Sequence, residues 1–155
     1  MSVAARLAEL GLRLPEVAAP VAAYVPAVRS GKYVYTSGQL PMSDGALLAT
    51  GKVGEGEGLV SPAEAYQLAR TCALNALAAV ASVAGGLDQV ARVVKVVGFV
   101  ASDPSFTGQP GVINGASELL GEVLGDAGRH ARSAVGVAVL PLDAPVEVEL
   151  VVELA

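Results

Sequence analysis

Among the 155 residues of this chain few could do chemistry, and Arg132 stands out. It opens a strand-like run, Arg132 to Leu140, whose other residues are small or apolar. A guanidinium stays charged at any working pH and grips carboxylates through parallel N–H groups, so in such surroundings it needs an anionic partner. Glu147 follows fifteen residues later, across an expected hairpin. Two readings stand open. In one, a structural salt bridge uses up both charges. In the other, Arg132 clamps an anion while a neighbouring carboxylate moves a proton.

The remaining candidates are weaker. Lys95 lies amid valines, where burial can lower an ammonium pKa toward Schiff-base use. Strict alternation would put it on the opposite strand face from Arg92, Val94 and Val96, and covalent catalysis is the lesser reading. Cys72 falls on the apolar stripe of a helix with no evident histidine partner, and reads as a small core residue. A lone cysteine also cannot form an internal disulfide. His130 is the single histidine, too few for a His/Cys metal site. Gly54-Glu55-Gly56-Glu57-Gly58 is glycine-rich, but its glutamates would repel a phosphate, so it reads as a loop.

These residues must be positioned by recognisable elements. Ser2 caps a short helix that Gly11 stops, and Pro15 to Pro20 reads as an extended arm. Tyr24 to Val28 and Tyr33 to Gln39 read as strands of a hairpin around Arg29-Ser30-Gly31-Lys32, with Asp44 to Gly58 a loop. The clearest signal is Ser61-Pro62-Ala63-Glu64, an N-cap, a proline at the first helical position and a capping-box glutamate. Apolar positions 65, 68, 69, 72, 76 and 80 follow, and Gly85-Gly86 ends the helix. Val90 to Val100 is β-branched and apolar on both faces, and Gly111 to Leu124 reads as a second main helix ended by Gly125. Arg132 to Leu140 and Val146 to Leu154 close the chain as two strands, the last with Glu147, Glu149 and Glu153 on one face. About five strands and two main helices make a two-layer α+β sandwich.

Composition adds a constraint. The chain is 53% hydrophobic, carries a net charge of −5, and has no tryptophan. Apolar content this high at small net charge excludes disorder. The acidic balance argues against a broad nucleic-acid surface. A mean hydropathy of +0.56 would suit a membrane protein, yet no stretch of 18 residues lacks charges and glycine. The N-terminus lacks the apolar core of a signal peptide, so the cytoplasm is the expected compartment. Two helices cover one sheet face only, so the apolar surplus predicts an uncovered face and a homo-oligomer whose sheets pack together.

At Arg132 the sequence resembles a known family. Ala131-Arg132-Ser133-Ala134-Val135, Leu140-Pro141-Leu142 and Val146-Glu147-Val148-Glu149 look like the C-terminal signature of the Rid proteins, the YjgF-like reactive intermediate deaminases also labelled endoribonuclease L-PSP. Tyr24-Val25-Pro26-Ala27-Val28 and Tyr35-Thr36-Ser37-Gly38-Gln39-Leu40-Pro41 are similar to the family's N-terminal tyrosine and Ser-Gly-Gln turn. The resemblance runs from about Pro20 to the C-terminus. It divides the chain into an N-terminal helix and arm (1–19) and a single YjgF-like domain (20–155). Ala134 stands where the family often has cysteine, Gly136 replaces a common polar residue, and two loops differ, which places the chain in a longer branch of about 150 residues.

The resemblance implies a chorismate-mutase-like fold, a trimeric barrel with helices outside, and clefts between subunits. It also implies that Arg132 binds the carboxylate of an imine or enamine and that Glu147 activates or positions water. Tyr24, Ser37, Asn114 and the backbone at Ala134 would line the cleft. No cofactor or metal is implied. The expected activity is hydrolysis of 2-aminoacrylate-type intermediates to 2-keto acids and ammonia. The runner-up is a non-catalytic protein holding small carboxylates in the same cleft. Ribonuclease and chorismate mutase activities are disfavoured for want of cationic groups. The expected partners are two further copies of the chain and a small carboxylate-bearing substrate, with no nucleic acid and no membrane.

Overall fold

A computed structural model describes residues 1–19 and 22–155. Position 20, where the expected arm ends and the expected domain begins, lies outside the described residues. The elements run α1 (Val3–Glu9), β1 (Ala27–Ser30), β2 (Tyr33–Thr36), β3 (Met42–Ser43), β4 (Ala46–Leu47), α2 (Pro62–Ala84), β5 (Val90–Ala101), α3 (Gln109–Leu124), β6 (Ala131–Val137) and β7 (Val146–Leu154). Five strands form one sheet in the order β1-β2-β7-β5-β6, with a separate β3-β4 hairpin. Both main helices pack on one face, the expected two-layer α+β arrangement.

The helix signals in the sequence act as expected. Ser61 Oγ accepts from the Glu64 amide at 3.2 Å, Pro62 opens α2, and Gly85 ends it in the left-handed region. Ala65, Leu68, Ala69, Cys72, Ala76 and Val80 are buried against the sheet and α3. By length and composition α2 could span a membrane, but 61% of its most apolar window is buried inside the molecule. Gly115 lets α3 approach α2 closely, since a Cβ there would overlap the Tyr66 carbonyl. Gly98 on β5 does the same for the sheet, because a Cβ would run into Ile113. Those two contacts set how near α3 lies to α2 and to β5.

Four expectations need correction. The hairpin strand expected over Tyr24 to Val28 instead runs Ala27–Ser30, turning through Gly31 at φ 60°. The loop expected over Asp44 to Gly58 begins inside the β3-β4 hairpin, whose Asp44-Gly45 turn has positive φ at both residues (52° and 81°), the geometry that favours Asp-Gly. The strands around Pro141 to Pro145 do not form a hairpin with each other. β6 pairs in parallel with β5 after the α3 crossover, and β7 inserts antiparallel between β5 and β2. Finally, a bulge between Val93 and Lys95 breaks the alternation of β5, so Arg92 (opposite Glu153) and Lys95 (opposite Val151) share one face.

The helix-covered face holds the core: Val34, Val93, Val96, Val100, Val146, Val148, Leu150 and Val152 are at most 1% exposed. The opposite face is bare. Val28, Tyr33, Tyr35 and Val135 are between 41% and 52% exposed there. Its β7 row carries Glu147, Glu149 and Glu153, facing Phe99, Val97 and Arg92 of β5.

Candidate functional site

The site residues fall into two groups. Arg132 belongs to the first. It sits on the edge strand β6 opposite the fully buried Val96, and therefore projects to the helix side. There it reaches α3: Nη1 donates to Asn114 Oδ1 at 2.8 Å and to Ser117 Oγ at 3.1 Å, while Nη2 donates to the Pro110 carbonyl at 3.3 Å. All three acceptors are neutral. The ion pairs among the described residues join Arg6 to Glu9, Arg70 to Glu122 and Arg129 to Asp126, so Arg132 has no carboxylate partner. The Nε–Nη2 edge of its guanidinium, the parallel fork suited to a carboxylate, has its Nε–H unpaired among the described residues. Ala134, two residues on, lies opposite Gly98 and packs against the core, leaving no side chain beyond its methyl group beside Arg132.

The second group surrounds Glu147. On β7 its neighbours Val146 and Val148 face the helices, so Glu147 points to the bare face. Its carboxylate lies against Gly38, where any Cβ would overlap it. It shares a small recess with Tyr24, Pro26, Gln39 and Ala18 of the N-terminal arm. Ser37, at the rim of the same turn, donates from Oγ to the Val25 carbonyl at 2.6 Å, and its amide donates to Pro26 at 2.8 Å. Gln39 bridges to Val148 through backbone bonds of 2.8 and 3.0 Å, and Asn75 on α2 donates to the Leu40 and Met42 carbonyls. The Ser-Gly-Gln turn is thus fixed from both sides. Burial pushes Glu147 above the usual carboxylate range, and the nearby Glu149 carboxylate adds to the shift. A carboxyl so raised is better matched to proton transfer near neutrality.

The structure therefore brings Tyr24, Ser37 and Glu147 together, and separately Arg132 and Asn114. It does not join the two groups within one chain. β5 lies between the strands of Arg132 and Glu147, and the side chains leave opposite faces of the sheet. The structural salt bridge between them is overturned. Ser117 was missed in the sequence. It lies three residues after Asn114, hence on the same helix face, a spacing that could have found it.

Other candidates are settled by burial. Cys72 is fully buried, which raises its thiol pKa well above the ordinary value, so it is a core residue. Gly54 and Gly56 pack around Leu59 with no helix N-terminus following directly, so the loop is no phosphate cradle.

Comparison with known proteins bears on the family and the fold. The family model described as "YjgF/chorismate_mutase-like, putative endoribonuclease" matches residues 4–154. Protein TCP17 of Trypanosoma cruzi is 48% identical over 153 residues, covering 98% of this chain and 94% of its own. The crystal structure of Atu1372 from Agrobacterium tumefaciens, a protein of unknown function, is 48% identical, covers 99% of this chain and 94% of its own, and superposes with a TM-score of 0.88. More distant is the crystal structure of E. coli TdcF with bound serine, at 25% identity, 92% and 94% coverage, and a TM-score of 0.64.

Proposed function

The chain belongs to the YjgF/chorismate mutase-like family, and from that premise we propose that it hydrolyses small carboxylate-bearing imines and enamines to 2-keto acids and ammonia. The observation that carries this reading is Arg132: a permanent cation on a scaffold of neutral oxygens, with its Nε–H unpaired among the described residues. Leaving such a charge without an anion costs stability, and a ligand carboxylate supplies the missing partner. That TdcF is a relative crystallised with bound serine supports a small amino-acid-like ligand.

The chemistry needs little else. An enamine first takes a proton from solvent at its β-carbon and becomes an iminium ion, whose C=N carbon is already electrophilic. Glu147 removes a proton from water as the oxygen adds to that carbon. The proton passes from Glu147 to the carbinolamine nitrogen. The C–N bond then breaks with its electron pair leaving on ammonia, while the hydroxyl oxygen closes the C=O bond of the 2-keto acid and gives its proton back to Glu147, which returns it to solvent. Holding water and imine carbon in contact supplies most of the acceleration. Glu147 serves as base because burial has raised its pKa; Tyr24 walls the recess, and Ser37 lies next in the chain to Gly38, which lines it.

Arg132 and Glu147 reach one substrate only if different chains supply them, because within a chain they face apart. The bare sheet face with Val28, Tyr33, Tyr35 and Val135 is the surface on which three copies close into a trimer. A cleft at each seam then combines the Arg132 of one chain with the Glu147 of the next.

The test is ammonia release from imines generated in situ by an amino-acid oxidase. Arg132→Ala should reduce kcat/KM at least about 100-fold, the cost of losing a charged hydrogen-bonded anchor. Wild-type rates in that variant would contradict the mechanism. A binding protein without turnover would keep the Arg132 clamp and release no ammonia. The ribonuclease in the family's description is disfavoured by the net charge of −5, since phosphate attraction would fall to isolated arginines.

A further inference from the structure

Behind Arg132 runs a chain of hydrogen bonds whose directions follow, for a neutral His130 ring, from which atoms can donate. The Arg132 Nη1 can only donate, so Ser117 Oγ accepts from it at 3.1 Å. The Gly128 carbonyl can only accept, so His130 Nδ1 carries a hydrogen and donates to it at 2.6 Å. In the neutral ring Nε2 is then bare, and at 2.8 Å it accepts the Ser117 hydroxyl proton. Ser117 thus spends its single proton on His130 and turns its lone pairs toward the guanidinium. The anchor of the chain is rigid: Gly128 is buried, and a Cβ there would overlap the Leu120 carbonyl of α3. On the other side of the ring, Tyr33 of β2, Arg92 of β5, Glu153 of β7 and Arg129 line a shallow hollow. Among the described residues the ring bonds only to Ser117 and Gly128.

We infer that Ser117 and His130 are positioning residues that hold the Arg132 guanidinium with its Nε–Nη2 edge turned to a carboxylate ligand. The inference rests on the reading of Arg132 as a carboxylate clamp. Asn114 and Pro110 hold the guanidinium from α3, but each contributes an oxygen that accepts whatever donor approaches. Ser117 could also donate from the same oxygen, and a hydroxyl pointing its hydrogen at Arg132 would repel it. His130 removes that alternative. It stands two residues before Arg132, so the segment that delivers the clamp also delivers the group that orients it.

Titration calorimetry on the intact protein, with pyruvate and with its neutral amide as probes, tests this. Ser117→Ala and His130→Ala should each weaken pyruvate about tenfold, the value of one hydrogen bond to a charged group. Both should leave the amide unchanged within about twofold, because only the carboxylate uses the fork. His130→Gln offers an amide oxygen to the Ser117 proton and should restore most of the affinity. In the Ser117→Ala background, His130→Ala should add nothing, since it acts through Ser117. Equal losses for pyruvate and its amide would mark a general structural role and overturn the inference. If Arg132→Ala abolishes pyruvate binding while the Ser117 and His130 variants bind normally, the clamp stands and the positioning role falls. If Arg132→Ala itself binds pyruvate normally, the clamp reading fails first.

Discussion

Arg132 and Glu147 stand on opposite faces of one sheet, with β5 between their strands. Glu147 lies level with Phe99 on β5, which lies level with Val135 on β6, three residues along from Arg132. At ordinary strand spacing and rise, the two backbones are offset by roughly 10 Å across the sheet and about 10 Å along it. No side-chain rotation closes that gap through the sheet. Within one chain, therefore, the two charges do not meet.

The packing of Gly38 against Glu147 gives a sharp test of the second half-site. Gly38→Ala strains no backbone angle, but its methyl group takes the place of the Glu147 carboxylate. A displacement of about 1 Å can cost about 100-fold in rate. We expect kcat to fall by about that factor while the thermal midpoint moves little. A variant with wild-type kcat would show that Glu147 needs no fixed position.

The pH profile should respond to Glu149. Burial is the larger cause of the raised Glu147 pKa and the Glu149 charge the smaller. If Glu147 acts as a base, activity is present above its pKa and lost as pH falls through it. Removing the neighbouring negative charge makes ionisation easier and lowers that pKa. Glu149→Gln should therefore move the acid limb of kcat/KM to lower pH, by a modest amount because burial remains. A shift to higher pH would contradict the assignment.

How much of this was legible in the sequence depended on the range of the signal. Local signals read true: Ser61-Pro62-Ala63-Glu64 opens α2, Gly85 closes it, and Glu147 and Val148 alternate between faces. The family motif around Arg132 identified the fold. Sheet order did not follow, because a proline-rich connection between two strands looks the same whether they pair or are parted by a third. That one ambiguity turned Glu147 from a neighbour of Arg132 into a residue on the other face. The bulge at Val94 was equally silent, since β-branched residues suit a regular strand as well as an irregular one. The Ser117–His130 link joins a helix to a strand start and leaves no trace in local spacing.

Two glycines of α3 should respond in opposite ways. Alanine gains about 1 kcal/mol of helix propensity over glycine at an open position. Gly121 is such a position, with nothing near its missing Cβ, so Gly121→Ala should raise the urea midpoint. At Gly115 the new methyl group would meet the Tyr66 carbonyl, backbone that cannot yield. Overpacking there costs about 1–3 kcal/mol and outweighs the propensity gain. Gly115→Ala should lower the midpoint; equal shifts in the two variants would contradict the packing described.

The bare face can be tested by charge. Val135 is 43% exposed on the bare face of β6, opposite Phe99, and in a closed trimer a glutamate there would be buried without a partner. Val135→Glu should sediment as a monomer while keeping the circular dichroism of the fold. If each cleft draws on two chains, as proposed, it should also lose turnover. A trimeric Val135→Glu protein would place the interface elsewhere.

The division of the site between chains is tested most directly by mixing two dead variants. Arg132→Ala and Glu147→Gln chains, co-expressed in equal amounts, assemble at random around the symmetry axis. A cleft is intact when its Arg132 comes from a Glu147→Gln chain and its Glu147 from an Arg132→Ala chain. About a quarter of the clefts meet that condition, half times half, so ammonia release should recover to roughly a quarter of the wild-type rate. A mixture no more active than its two parents would show that Arg132 and Glu147 do not meet across a seam.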